Sequence, residues 1–136
     1  MTDSYVLDAN AVLDFVEAGG GADKVDRLLD AAAHRQVNVF ASVMNLGEVY
    51  YWLWRKRSAE KARQTIDGFS RLPIQIVPVD LPQAIKAGEI KALHKIAYVD
   101  CIAAALAMQH RATLVTADRD FEKLGRQFPV LWLPRR

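Results

Sequence analysis

The sequence predicts an α/β protein: a three-layer α/β/α sandwich with a mainly parallel central sheet. Two observations predict it. Short apolar runs rich in strand formers alternate with longer helical periodicities along the chain, the pattern of a parallel sheet covered on both faces. The 136 residues also contain no internal repeat, linker or low-complexity tract, so one domain over 1–136 is the simplest account.

The elements follow in order. Ser4 to Leu7 reads as a strand, and Asp8 and Asn10 suit the start of a helix over Ala11 to Ala18. Gly19-Gly20-Gly21 stops that helix in what reads as a flexible turn; no Lys-Ser/Thr follows to make it a phosphate loop. Ala22 to Arg35 is a second helix, its apolar face drawn from Val25, Leu28, Leu29 and Ala32. Val37 to Ala41 is a strand, and Ser42 caps a helix reaching about Arg57. Ser58 to Phe69 is a more polar helix with Ala62, Ile66 and Phe69 on one side. Pro73 and Pro78 bracket a strand at Ile74 to Val77. Helices at Leu81 to Lys95 and Tyr98 to His110, a strand at Thr113 to Thr116, a short helix at Arg119 to Leu124 and a strand at Val130 to Leu133 complete the pattern.

Composition narrows the function. At 51% hydrophobic and 25% charged the chain is globular rather than disordered, and a domain this size buries roughly two-thirds of its surface without needing a staple. A single cysteine, Cys101, excludes an intrachain disulfide and reads as a small core residue. With no export signal at Met1 to Tyr5 and no apolar run approaching the ~18 residues of a membrane span, the expectation is cytoplasmic. A net charge of +2 does not by itself argue for nucleic acid.

The informative anomaly is where certain acids lie. Asp100 is the only charged residue between Ala97 and Met108, and Glu48 sits within the apolar stretch Val43 to Trp54 with Asn45 one helical turn back. Asp8 follows Tyr5-Val6-Leu7, and Asp118 follows Leu114-Val115-Thr116-Ala117. An ionised carboxylate in such surroundings costs several kcal/mol unless something pairs it. Two of them ~4 Å apart repel by about 4 kcal/mol at an effective dielectric of about 20. Asp8 and Asp118 belong at the C-terminal ends of strands, where open α/β sheets bind ligands, and Glu48 and Asp100 can reach that edge from neighbouring helices. Oxygen ligands without matching His or Cys suit Mg²⁺ or Mn²⁺, and metal-dependent phosphodiester hydrolysis is the chemistry they serve best. The plainer alternatives are a helix N-cap for Asp8, a helix-dipole partner for Asp118 and Asp120, and a solvated stripe for Glu48; the plain reading is weakest for Asp100, whose neighbours on every helical side are apolar.

Four segments carry a family resemblance: Tyr5-Val6-Leu7-Asp8-Ala9-Asn10, Asn45-Leu46-Gly47-Glu48-Val49, Tyr98-Val99-Asp100-Cys101-Ile102-Ala103-Ala104-Ala105 and Leu114-Val115-Thr116-Ala117-Asp118-Arg119-Asp120-Phe121. In that order, across nearly the whole chain, they resemble the PIN-domain family, and within it the VapC-like toxins of bacterial toxin–antitoxin pairs. The resemblance implies a metal-dependent endoribonuclease whose Asp8, Glu48, Asp100 and Asp118 bind one or two Mg²⁺ or Mn²⁺ ions. Asn10, Thr116 and Asp120 match accessory positions around the acids. It further implies water attack leaving a 5′-phosphate and a 3′-hydroxyl, a homodimer, and a cognate antitoxin seated in a groove near the active site.

Tyr50-Tyr51-Trp52-Leu53-Trp54 followed by Arg55-Lys56-Arg57 reads as a core helix face with a basic end; Tyr51, Trp52, Trp54 and Arg55 are also candidates for partner or RNA contact. RNA stacking there is the weaker reading, because catalysis belongs at the helix end opposite Arg57. Lys61 and Arg63, with those three cations, suit either phosphate steering or a solvated surface. His34, His94 and His110 lack ligand spacing and suit helix ends. Gly47, costing about 1 kcal/mol within a helix, implies close packing beside Glu48. Three other readings remain at this point: a PIN nuclease of RNA processing with no antitoxin, a phosphohydrolase with Asp8 as nucleophile, and a non-catalytic binding module.

Overall fold

The apolar runs become strands of one sheet. The computed structural model describes residues 2–135. Its strands are β1 (Asp3–Leu7), β2 (Val37–Ser42), β3 (Gln75–Val77), β4 (Thr113–Thr116) and β5 (Val130–Trp132). They pair in the order β3-β2-β1-β4-β5, every pair parallel. The chain winds outward from β1 to β3, then returns to place β4 and β5 on the other side. Right-handed crossovers in opposite directions put their helices on opposite faces. Accordingly α1 (Ala9–Val16), α2 (Ala22–Ala33), α3 (Val43–Lys56) and α4 (Ala59–Gly68) cover one face, and α5 (Leu81–Leu93) and α6 (Tyr98–Gln109) the other.

Alternation along the strands divides the core. Leu7, Val39, Ala41 and Val115 face the first layer, packing with Val12, Val25, Val49 and Leu53. Val6, Phe40 and Leu114 face the second, against Ile90, Ile102 and Leu106. A fully buried side chain such as Leu53 or Leu106 contributes about 2 kcal/mol through lost water contact. Cys101 is wholly buried in this second layer, and burial pushes its thiol pKa up, so it is a core residue as expected.

Three local expectations differ from what forms. The helix expected over Arg119 to Leu124 is a 3₁₀ turn, its start set by the Asp118 side chain accepting from the Asp120 N–H at 2.9 Å. The glycine turn is not loose but wrapped around Asp14, which is 1% exposed and accepts from the Gly21 N–H at 3.1 Å. A Cβ on Gly19 or Gly21 would lie 2.5 Å from an Asp14 oxygen, so only glycine lets the chain come that close. Gly47, by contrast, has nothing within 4 Å of where a Cβ would stand. It opens a groove instead of permitting close packing. The three histidines do occupy helix ends, His34 after α2, His94 after α5 and His110 after α6.

Candidate functional site

The sheet changes winding direction between β1 and β4, and a crevice opens at the C-terminal ends of strands at such a point. Register decides what reaches it. Leu7 pairs with both Ala41 and Val115, and Thr116 pairs with Trp132. One residue past Leu7, therefore, Asp8 lies level with Ser42 on one side and Thr116 on the other. The Asp8 N–H still donates to the Val115 carbonyl at 3.3 Å, so the carboxylate is fixed by the sheet itself.

Asp8 is 2% exposed. Its Oδ1 accepts from the Ala11 N–H at 2.9 Å, capping α1, and its Oδ2 accepts from the Thr116 hydroxyl. The N-cap expected of Asp8 as a plain alternative is thus real, and it leaves the carboxylate aligned rather than explained away. Burial pushes the Asp8 pKa up to about 7; the Thr116 and Ala11 bonds hold it down, while Asp100 and Asp118 add to the rise. Thr116 is wholly buried and joins two acids, since its oxygen also accepts from the Asp118 N–H at 2.9 Å.

Asp100 stands in the first turn of α6, whose start carries no side-chain cap, and is half-buried. Its pKa is also raised to about 7, first by burial, then by Asp118, Glu48 and Asp120. Glu48, half-buried on α3, is raised by burial and lowered by Asn45, whose Nδ2 donates to Oε1 at 3.3 Å. The apolar-stretch argument singled out this pair. Asp8, Glu48, Asp100 and Asp118, together with the exposed Asp120, therefore share one electrostatic neighbourhood drawn from five elements or their ends. Asn10 sits half-buried on the first turn of α1 beside Asp8.

Positive charge does not balance them. Among the described residues none of Asp8, Glu48, Asp100 and Asp118 forms an ion pair; Lys123 bridges only Asp120, at 3.4 Å. Nor are any three His, Cys, Asp or Glu side chains among the described residues gathered closely enough to cage a metal ion as they stand. The acids sense one another's charge without touching. Their donor chemistry, all oxygen, and their missing countercharge fit a hard divalent cation.

The aromatic segment divides. Tyr51 and Trp54, 57% and 54% exposed, line a groove of about 660 Å³ with Val43, Leu46, Tyr50 and Ile76, bordered by Arg55. Its floor is open because Gly47 has no side chain to fill it. Trp52 lies away from this groove, half-buried against the first core layer with Arg57 over its ring. Arg57 also pairs with Glu17, and Arg63 stacks on Tyr50, so neither basic side chain stands alone as a phosphate contact. Sequence reasoning missed Arg119, whose guanidinium sits 4.3 Å from the centroid of the Trp132 ring. Its position between Asp118 and Asp120 was the available signal.

A family model for the PIN domain matches residues 5–127. No curated protein matches the chain in sequence. Among solved structures the chain is similar to VapBC2 from Rickettsia felis, bound there to a DNA fragment from the promoter, with a TM-score of 0.77 and 19% identity over 96% of this chain and 98% of that one. It is similar to DNA-bound VapBC from Salmonella typhimurium at a TM-score of 0.75 and 19% identity, again over 96% and 98%. A third likeness is to VapC20 from Mycobacterium tuberculosis, a Sarcin-Ricin loop cleaving toxin, at a TM-score of 0.71 and 17% identity over 89% and 95%. At those identities the solved structures speak for the fold. The match to the PIN model across residues 5–127 speaks for the lineage: this chain belongs to the PIN domain family.

Proposed function

We propose that the protein is a Mg²⁺- or Mn²⁺-dependent endoribonuclease, the toxin of a type II toxin–antitoxin pair, acting through Asp8, Glu48, Asp100 and Asp118. The observation that carries the reading is the uncompensated charge: two acids held near pKa 7, coupled to two more, with no cation paired to them among the described residues. A divalent ion bound there supplies the positive charge, activates water and stabilises a leaving oxygen. The chain's own part is to hold the acids. β1 and β4 fix Asp8 and Asp118, the Thr116 hydroxyl orients both, Asn45 steadies Glu48, and α6 brings Asp100. Asn10 and Asp120 serve as accessory groups at the rim.

The antitoxin belongs to the same proposal. The apolar groove bordered by Arg55 suits an amphipathic segment with acidic flanks, and the structural neighbours are toxin–antitoxin complexes. That favours a toxin over a PIN nuclease of RNA processing without an antitoxin. A homodimer would cover Leu81, Ile85 and Leu93, exposed along one stripe of α5. An Asp8-nucleophile phosphohydrolase is disfavoured, because among the described residues no lysine pairs with Asp8, Asp100 or Asp118 to complete such a site.

The test is cleavage of RNA by purified protein, free of any partner, with Mg²⁺ or Mn²⁺ and with chelator, followed by sequencing of the ends. Metal-dependent cuts bearing 5′-phosphates, lost by at least about 1,000-fold in a folded Asp100→Asn variant, are expected. Full activity of that variant would rule out the assignment; absence of any cleavage would favour a binding module.

A further inference from the structure

We propose that the hollow along the edge strand β5 is a nucleotide subsite, holding one unpaired RNA base beside the acid cluster with Trp132 as its stacking platform and Arg126 as its phosphate contact. The proposal rests on the ribonuclease reading and adds where the substrate's sequence is read.

Position comes first. Trp132 pairs in register with Thr116, whose hydroxyl touches Asp8, so Trp132 stands one strand spacing, about 4.8 Å at the backbone, from the row that holds the acids. Trp132 and Thr116 share the sheet face on which α6 presents Asp100, as Val130 and Trp132 pack on the second core layer. The hollow runs from Trp132 back to Thr113 and Pro129 at the other ends of these strands, so a nucleotide stacked on Trp132 occupies the end of it that is level with the acid row.

Preorganisation comes second. The Arg119 guanidinium sits over the Trp132 ring, and the same tryptophan lines the hollow. The Arg119 Nε is buried with no hydrogen-bond partner among the described residues, so contact with the ring is what holds it. The Lys24 ammonium donates to the Trp132 carbonyl at 3.1 Å, fixing the backbone of this edge strand. An aromatic side chain braced in this way loses little freedom when a base stacks on it.

Chemistry comes third. The hollow measures about 640 Å³ and has walls of two kinds: Phe121, Phe128 and Trp132 on one hand, Thr113, Glu122 and Arg126 on the other. A nucleobase has apolar faces and a polar edge, and its phosphate wants a cation, so this mixed lining suits it. The groove at Tyr51 and Trp54 is lined almost wholly by apolar groups and suits a protein segment better. Glu122 and Phe121 belong to the 3₁₀ turn that Asp118 initiates, which couples the hollow to the acids through a few residues of chain.

The test uses the full chain carrying Asp100→Asn, so that RNA is bound and not consumed, with a short unstructured RNA of random sequence as probe. Trp132→Ala and Arg126→Glu should each weaken binding about 5- to 100-fold, while Trp132→Phe, which keeps a stacking face, should stay within about 3-fold. In the cleaving background, Trp132→Ala should flatten the base preference at one position beside the cut. Should Trp132→Ala misfold by thermal melting, Arg126→Glu at the surface and Trp132→Phe decide the matter. Unchanged binding and unchanged cut-site preference in folded Trp132→Ala, or in Arg126→Glu where it does not fold, overturns the subsite and leaves the nuclease standing. A protein that binds RNA through Trp132 yet never cuts it supports the subsite and sinks the nuclease reading.

Discussion

Raising the pH should weaken the metal-free protein, and Asp8 sets the size of the effect. Its carboxyl holds its proton to about pH 7 in the fold, against 3.8 in the unfolded chain, because burial outweighs the Thr116 and Ala11 hydrogen bonds. Between those values the unfolded chain has released the proton while the fold still retains it. Stability is therefore fully present below about pH 4, falls as pH rises, and levels off above about pH 7. Over the whole span the loss is about 4 kcal/mol at 1.36 kcal/mol per pH unit, of which about 3 kcal/mol falls between pH 5 and 8. With an unfolding entropy of about 2.1 cal/mol/K per residue, this lowers the Tm by about 10 °C. Asp100 acts in the same direction. Thermal melts in chelator from pH 5 to 8 measure it, with Asp8→Asn as the control. The amide can still accept from Ala11 and donate to the Thr116 oxygen, so this variant should lose Asp8's share of the slope, leaving that of Asp100, while keeping the fold. A flat or rising profile in the unsubstituted protein would refute the argument that buried, uncompensated acids dominate this edge.

Three other outcomes are expected. Thr116→Val removes the donor to Asp8 and the acceptor of the Asp118 N–H, so cleavage should fall about 10- to 100-fold and stability by about 1–3 kcal/mol, read by kinetics and urea melts. Gly21→Ala would put a methyl 2.5 Å from Asp14 Oδ2 and 2.8 Å from Leu133 Cδ1; a loss of about 1–3 kcal/mol in stability is expected, checked by melting, with no change in pH profile. Trp54→Glu, on the exposed groove, should weaken capture of the antitoxin by at least about 100-fold in a pull-down or calorimetric titration while leaving RNA cleavage within about 2-fold.

What the sequence made legible depended on contrast. Tyr5-Val6-Leu7 and Leu114-Val115 stand out as strands because both faces of the sheet are covered, and Asp8 and Asp118 stand out because they end those runs. Asp100 is conspicuous on a helix that is buried from Cys101 to Ala107. Asp14 was not conspicuous. An acid in an amphipathic helix looks like part of its wet face, and only the glycine turn folded back over it makes it a buried one. The stacking of Arg119 on Trp132 joins residues on separate elements and has no periodicity to betray it. Gly47 misled because a helical glycine has two physical uses, close approach and open space, and local sequence does not separate them. The order of the strands, with β4 inserted beside β1, is set by long-range pairing and not by any local preference.

That insertion governs when the acid cluster can assemble. Asp8 is made first, yet its neighbour Thr116 and the acid at 118 are made more than a hundred residues later, after both covering layers have been synthesised. Closing so long a loop is slow and comes late. An unfinished polypeptide on the ribosome thus carries the early acids without the arrangement that brings all of them together.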